Sequence, residues 1–309
     1  MAKNLIIRPK TLEAIDKRVE RVLRDLSIPE PPLDLRQVFE LLKLDRGYYT
    51  AEDPGLTRTV VSRIWVGAQQ ILKRPTLIFD VAKKLDLRGF YLPDQKRILI
   101  DDAQPVLKHR WLEAHEIGHS LLNWHEGAMF GDSKYTLLPE CHHSIEAEAN
   151  FAAGRLLFLR DQFSDRALDY EPSIKAVKEL KPQFGNSFTT TFWRCIETWG
   201  AKVPMVGLIT DHPHPDKRKA DFDPAKPCRH FVQSPAFAKM FSTVPEQTVY
   251  QIVEQYTSTA RGGPLGHGEY SLTDDNGDEH HFYFETFNFR WDVLTLGIYQ
   301  SPRSLIIAV

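Results

Sequence analysis

Apolar positions recur at helical spacing near the start of the chain. Leu12, Ile15, Val19, Leu23 and Leu26 fall on one stripe, which predicts an amphipathic helix over residues 11–26 that stops before SIPEPP. A second stripe, Leu35, Val38, Leu41 and Leu42, follows Asp34, a suitable N-cap, and predicts a helix ending near Gly47. Residues 57–73, TRTVVSRIWVGAQQILK, fit a helix, while Val60, Val61, Ile64 and Val66 also suit a strand. In LRGFYLPDQKRILIDD two apolar runs, 87–92 and 97–100, flank Pro93-Asp94-Gln95-Lys96, a β-hairpin pattern. Asp101 or Asp102 is placed to cap the next helix, with Pro105 in its first turn; that helix is expected to run through His115 to Asn123 or Trp124 and to exit at Gly127. A long loop then precedes a helix over residues 145–159, and loops of that length in a domain are more often functional rims than idle connections.

From Glu171 onward two helical patterns meet at FGNS, the shape of a helix-turn-helix. The last hundred residues change texture. His212-Pro213-His214-Pro215 and DFDPAKP read as a linker, and EYSLT, DDNGDE and HHFYFETFNF read as strand, tight turn and strand. The expected division is a first domain over 1–165, a helix-turn-helix-like region over 166–205 and a C-terminal α+β domain over 206–309. The fold class is therefore α+β.

Composition narrows the function classes. With 42% hydrophobic and 26% charged residues over 309 positions, the chain has the make-up of a soluble globular protein. A net charge of -2 gives no general attraction to phosphate backbones or anionic lipid, so neither nucleic acid nor a membrane is the expected partner. The second helix of the helix-turn-helix pattern agrees: Phe188, Phe192, Ile196 and Trp199 make an apolar stripe, and Arg194 is the one positive charge between Ser187 and Trp199. That helix is expected to pack rather than to read a DNA groove. Cys141, Cys195 and Cys228 are few, widely spaced and odd in number, which fits a reducing compartment. No segment reaches membrane-spanning length and the N-terminal apolar run is only Leu5–Ile7, so a cytoplasmic location is expected.

The chemistry concentrates at Ala114-His115-Glu116-Ile117-Gly118-His119-Ser120. On a helix, His115 and His119 share a face one turn apart and can reach one metal ion, while Glu116 lies about 100° around, beside the ion, where a general base is needed. A hydrolytic zinc site uses three protein ligands and an open position. The segment SIEAEANFAAGRLLF offers Glu146 and Glu148; Glu146 shares a face with Asn150 and is chosen as the third ligand. Asn150 is placed to hydrogen-bond a ligand imidazole, and Glu148 is read as a solvated or salt-bridged surface carboxylate. Tyr135, His142 and His143, all in the loop between the two helices, are candidate oxyanion stabilisers. Asp274-Asp275-Asn276-Gly277-Asp278 lacks the spacing and distal Glu of a calcium loop and reads as a hairpin turn.

His115-Glu116-x-x-His119 followed by Glu146-x-Glu148-Ala149-Asn150, alanines and Leu156-Leu157 resembles the ImmA/IrrE metallopeptidases, gluzincin-type proteins with the pattern HExGHxLL and then ExEANxFAxxLLxP. The resemblance covers roughly residues 29 to 200. It implies a zincin-like metallopeptidase core, with His115, His119 and Glu146 as zinc ligands and Glu116 as catalytic base. Asn123 stands where a further histidine is common in the family, Ala152 where its Phe falls, and Leu159 where its Pro falls; residues 51–84 are longer than its spacing. Family members commonly cleave helix-turn-helix transcriptional repressors. The resemblance thus implies a zinc-dependent endopeptidase that derepresses genes, with the C-terminal domain as a sensor or docking module. His₂Glu ligation also accommodates Mn²⁺ or Fe²⁺. The alternative is a non-catalytic regulator in which the metal is structural and the protein acts by binding a partner.

Overall fold

The computed structural model describes residues 7–49, 89–104, 106–125 and 139–302. The first stripe folds as α1 (Pro9–Asp25), with Pro9 in its first turn and Ile15, Val19, Val22 and Leu23 buried. Asp34 caps α2 (Leu35–Leu42) by accepting the Arg36 backbone N–H at 3.0 Å. That helix ends earlier than its spacing predicts: Lys43 takes a left-handed conformation, φ 54°, and the chain turns into strand β1 (Asp45–Tyr49). Phe39 is buried in place of Leu41, which is exposed. The alternative readings of residues 57–73 lie outside the described residues.

The expected hairpin forms from β2 (Gly89–Leu92) and β3 (Arg97–Asp101), antiparallel and turned by a short 3₁₀ segment at Pro93–Gln95. β1 joins this sheet parallel to β3, in the order β1-β3-β2. Against it lies α3 (Val106–Leu121), which carries both histidines of the motif. Neither Asp101 nor Asp102 caps α3. The Asp101 carboxylate instead accepts the Ala103 N–H at 3.0 Å and the Gln104 side-chain amide at 3.0 Å, closing a turn before the helix. α4 (Pro139–Leu157) packs along α3, with Ala149 and Ala152 against Gly118, and buries Ala153 and Leu156 as well. α1 is tied to α4 and the turn after it by Asp16, which accepts from Arg155 Nε at 2.5 Å and Arg160 Nη2 at 2.6 Å.

Two compact units result. One contains the described residues up to Gln162 together with Phe184–Asn186; the other contains Phe163–Gln183 and everything described from Ser187 onward. The second unit holds most of α5 (Asp161–Leu168), α6 (Ile174–Phe184) and α7 (Phe188–Trp199), so the greater part of the helical region falls with the C-terminal sheet.

That sheet is antiparallel, in the order β5-β4-β8-β7-β6, from β4 (Met205–Thr210), β5 (Cys228–Gln233), β6 (Gly263–Thr273), β7 (Glu279–Phe289) and β8 (Asp292–Pro302). Two helices, α8 (Pro235–Met240) and α9 (Glu246–Tyr256), cover one face, where Phe237, Phe241, Val249 and Val253 meet Val206, Leu208, Phe282 and Phe284. Each such side chain contributes about 1.5–3 kcal/mol when fully buried. Gly207 faces the other way, and a Cβ there would stand 2.1 Å from Ile196 Cδ1 of α7. The stripe Phe188, Phe192, Ile196 and Trp199 is thus buried within its own unit, as a packing element.

The histidine–proline run and DFDPAKP are not a linker between domains. They connect β4 to β5, neighbouring strands of one sheet, and His212 Nε2 is bonded to the Ala260 carbonyl at 2.9 Å. The segment DDNGDE forms the β6–β7 turn, with Gly277 at φ 93°. Its carboxylates are engaged by protein donors: Asp275 accepts from the backbone and hydroxyl groups of Ser242 and Thr243.

Candidate metal centre

Helix geometry stacks the rings of His115 and His119 one turn apart on α3, with Nε2 atoms 3.2 Å apart. α4 supplies the third group. Glu146 places Oε2 3.1 Å from His115 Nε2 and Oε1 3.5 Å from His119 Nε2. Convergence depends on how closely the helices approach, and Gly118, between the histidines, permits it: a Cβ there would lie 2.7 Å from the Ala149 carbonyl oxygen. A small residue facing backbone is the local reason that two separate helices can hold one site.

These three are the group of His, Cys, Asp and Glu side chains able to hold a metal ion found among the described residues, with donor atoms all within 4.8 Å of one another. The fit can be tested on the donors themselves. Four ligands around a tetrahedral ion with bonds of about 2.0–2.1 Å are about 3.3–3.4 Å apart. The two imidazole nitrogens, 3.2 Å apart, match that value, and Glu146 sets one carboxylate oxygen 3.1 Å from His115 and the other 3.5 Å from His119, with one atom from each residue within 4.8 Å of the others. Two imidazole nitrogens and a carboxylate, three donors with room for a fourth, suit Zn²⁺ as well as other first-row divalent ions.

The other edge of each ring is held by a different partner. His115 Nδ1 lies 3.0 Å from Asn150 Oδ1, the contact expected of Asn150. His119 Nδ1 lies 2.9 Å from Nδ1 of His125, which is fully buried. His125 Nε2 in turn lies 2.9 Å from Glu148 Oε2, and Trp124 Nε1 donates to the same oxygen at 2.7 Å. Glu148 is therefore no free surface carboxylate. It is largely enclosed and paired with His125, so of the two readings from sequence, solvated or salt-bridged at the surface, the solvated surface one gives way to the paired one. The signal was absent locally because α3 stops at Leu121, short of the expected Asn123 or Trp124, and a new turn begins with the His125 N–H bonded to the Leu122 carbonyl at 2.8 Å. In an unbroken helix position 125 would point away from 119; the break brings it under the ring.

Glu116 sits on the side of α3 facing β2. It is 4% exposed, takes a backbone hydrogen bond from Tyr91, and leaves so little space that a Cβ on Gly89 would stand 3.1 Å from its Oε1. Burial pushes its pKa up to about 7; the neighbouring His115 opposes the rise and Glu146 adds to it. Burial drives His119 down to about 4 despite Glu146. At His115 burial works against a proton, but the Glu146 carboxylate on Nε2 and nearby Glu116 outweigh it and raise the pKa. Burial works against the Glu146 charge too, yet the two imidazoles hold that carboxylate well below its usual range.

Of the candidate oxyanion stabilisers, Tyr135 lies outside the described residues. His142 and His143 occupy the start of α4 instead of a loop, because the helix begins at Pro139 and not near Ile145, and their side chains lie outside the described residues.

Comparison with known proteins agrees with this region of the chain. The Peptidase_M78 family model, the IrrE N-terminal-like domain, matches residues 72–192, which span α3, α4 and all the groups described above. No curated protein sequence matches the chain. Among solved structures, a Mycobacterium tuberculosis transcriptional regulator is similar in fold, with a TM-score of 0.50 at 13% identity, covering 93% of this chain and 88% of that one. No helix among the described residues is long and apolar enough to cross a membrane. Over residues 72–192, then, this α+β chain matches the model of the IrrE N-terminal-like domain, Peptidase_M78, in agreement with the resemblance read from its sequence.

Proposed function

We propose that the chain is a zinc-dependent endopeptidase in which His115, His119 and Glu146 hold the ion and Glu116 is the catalytic base. The observation that carries this reading is the convergence of His115, His119 and Glu146, with one donor atom from each within 4.8 Å of the others, beside a buried carboxylate whose pKa is raised to about 7. A divalent ion in that site supplies Lewis acidity, which makes water acidic near neutral pH and polarises a carbonyl. Glu116 performs the proton transfers. Ionised, it accepts a proton on its carboxylate as the water oxygen adds to the peptide carbonyl carbon. It then delivers that proton to the amide nitrogen as the C–N bond breaks, leaving an amine and a carboxylic acid whose remaining proton passes to solvent. In the metal-free chain burial lifts Glu116 out of the usual carboxylate range, toward the pH at which a carboxyl group can both take and give a proton. Asn150 and His125 hold the two rings so that each Nε2 faces Glu146.

The family resemblance supports a helix-turn-helix transcriptional repressor in the cytoplasm as the substrate, cleaved to switch on the genes that it silences. The purified chain is loaded with Zn²⁺ and incubated with the repressor encoded beside its gene. Cleavage is expected from the wild type and none from Glu116→Gln, which should still bind one equivalent of metal by elemental analysis. Undiminished cleavage by Glu116→Gln would refute the mechanism. A silent Glu116→Gln in cells, with regulation lost in His115→Ala, would favour the non-catalytic regulator.

A further inference from the structure

We infer that His125 and Glu148 are positioning residues: together they fix the His119 ring with its proton on Nδ1, so that Nε2 offers a lone pair to the metal. The inference rests on the reading of His119 as a ligand and assigns a role to two residues outside the His-Glu-x-x-His motif.

The argument follows the hydrogens. A carboxylate only accepts, so His125 Nε2, 2.9 Å from Glu148 Oε2, must donate. A neutral imidazole with its proton on Nε2 has a lone pair on Nδ1. His125 Nδ1 therefore accepts, and the group facing it at 2.9 Å, His119 Nδ1, must be the donor. The proton of His119 is then on Nδ1 and its Nε2, 3.5 Å from Glu146 Oε1, is free to bind an ion. Reversing the first contact reverses all of them: a proton on His125 Nδ1 would place the His119 proton on Nε2 and block it as a ligand. Trp124 holds Glu148 from a second direction, and Arg18 lies over the Trp124 ring at 4.9 Å, tying the anchor to α1. His115 has a simpler arrangement, with one neutral amide oxygen on Nδ1. The two histidines of the motif are therefore not equivalent, and His119 is the one backed by a charge.

The test uses the full-length chain. With ¹⁵N-labelled histidine and no metal, long-range ¹H–¹⁵N spectra should show the Nδ1–H ring at His119 and the Nε2–H ring at His125. Zn²⁺ affinity is then measured by competition with a chromophoric chelator. His125→Phe and Glu148→Ala should each bind about 10–100-fold more weakly than wild type. His125→Asn, whose Oδ1 stands where Nδ1 stood, and Glu148→Gln, which keeps an acceptor, should recover most of the loss. Mere loss of packing would not be rescued in that pattern. An Nε2–H ring at His119 in the wild type overturns the inference without any variant, as does wild-type affinity in a folded His125→Phe. A wild-type chain that binds no Zn²⁺ defeats the metal reading itself, and the metal-free spectra still judge the relay. Absence of peptidase activity touches neither measurement.

Discussion

Replacing Gly118 by Ala tests whether helix approach controls the metal site. The added Cβ would stand 2.7 Å from the Ala149 carbonyl oxygen and 3.3 Å from both Ala149 Cα and Ala152 Cβ. Ordinary contacts are about 3.5 Å or longer, so α3 and α4 must part by roughly 0.5–1 Å, and backbone on the facing side cannot rotate out of the way. Such a site tolerates displacements of about 0.5 Å. In an open helical position Gly→Ala adds about 1 kcal/mol of stability. Overpacking instead costs about 1–3 kcal/mol, so the gain is cancelled or reversed. Gly154, on α4 itself, is the control: a Cβ there meets nothing within 4 Å, and Gly154→Ala should show the full gain. Urea unfolding of both metal-free variants gives the stabilities, and chelator competition gives Zn²⁺ affinity. Gly118→Ala should be no more stable than wild type and bind Zn²⁺ at least about tenfold more weakly, about 1.4 kcal/mol. If it matches Gly154→Ala in stability with wild-type Zn²⁺ affinity, close approach of these helices is not what assembles the site.

Glu116→Gln should stabilise the metal-free chain, with a definite pH dependence. Below pH 4.5 the carboxyl is protonated both folded and unfolded, so the substitution is silent there; as pH rises the unfolded chain ionises from 4.5 but the folded one only near 7. The wild type therefore loses about 3 kcal/mol across that window, and Gln should regain up to that amount above pH 7 in urea unfolding. Equal stabilities at pH 8 would show that Glu116 ionises freely. In the C-terminal unit, Phe282→Ala empties a fully buried position among Phe237, Phe241 and Phe284 and should cost about 3–5 kcal/mol. It should leave Zn²⁺ affinity unchanged, because no donor or donor partner lies in that unit; a parallel loss of metal would contradict that separation.

Local periodicity and short motifs made much of this protein legible. The stripes of α1 and α7, the hairpin around Pro93 and the His115–His119 pair each depend on residues within one or two turns or strands of each other, so spacing alone determined them. The choice of Glu146 over Glu148 also followed from helical spacing with Asn150. What depended on partners distant in sequence was decided by the tertiary structure. β1 exists because Asp45–Tyr49 finds β3 about fifty residues later, and five residues without a clear alternation gave no local sign of it. The HPHP and DFDPAKP runs have the composition of a linker, yet their ends lie on neighbouring strands. Glu148 and His125 meet His119 only because α3 breaks at Leu122 while α4 lies alongside, and Glu116 acquires its pKa from enclosure by β2. Desolvation and hydrogen-bond direction are properties of what surrounds a group in space, and the residues that surround these groups are far from them in the chain.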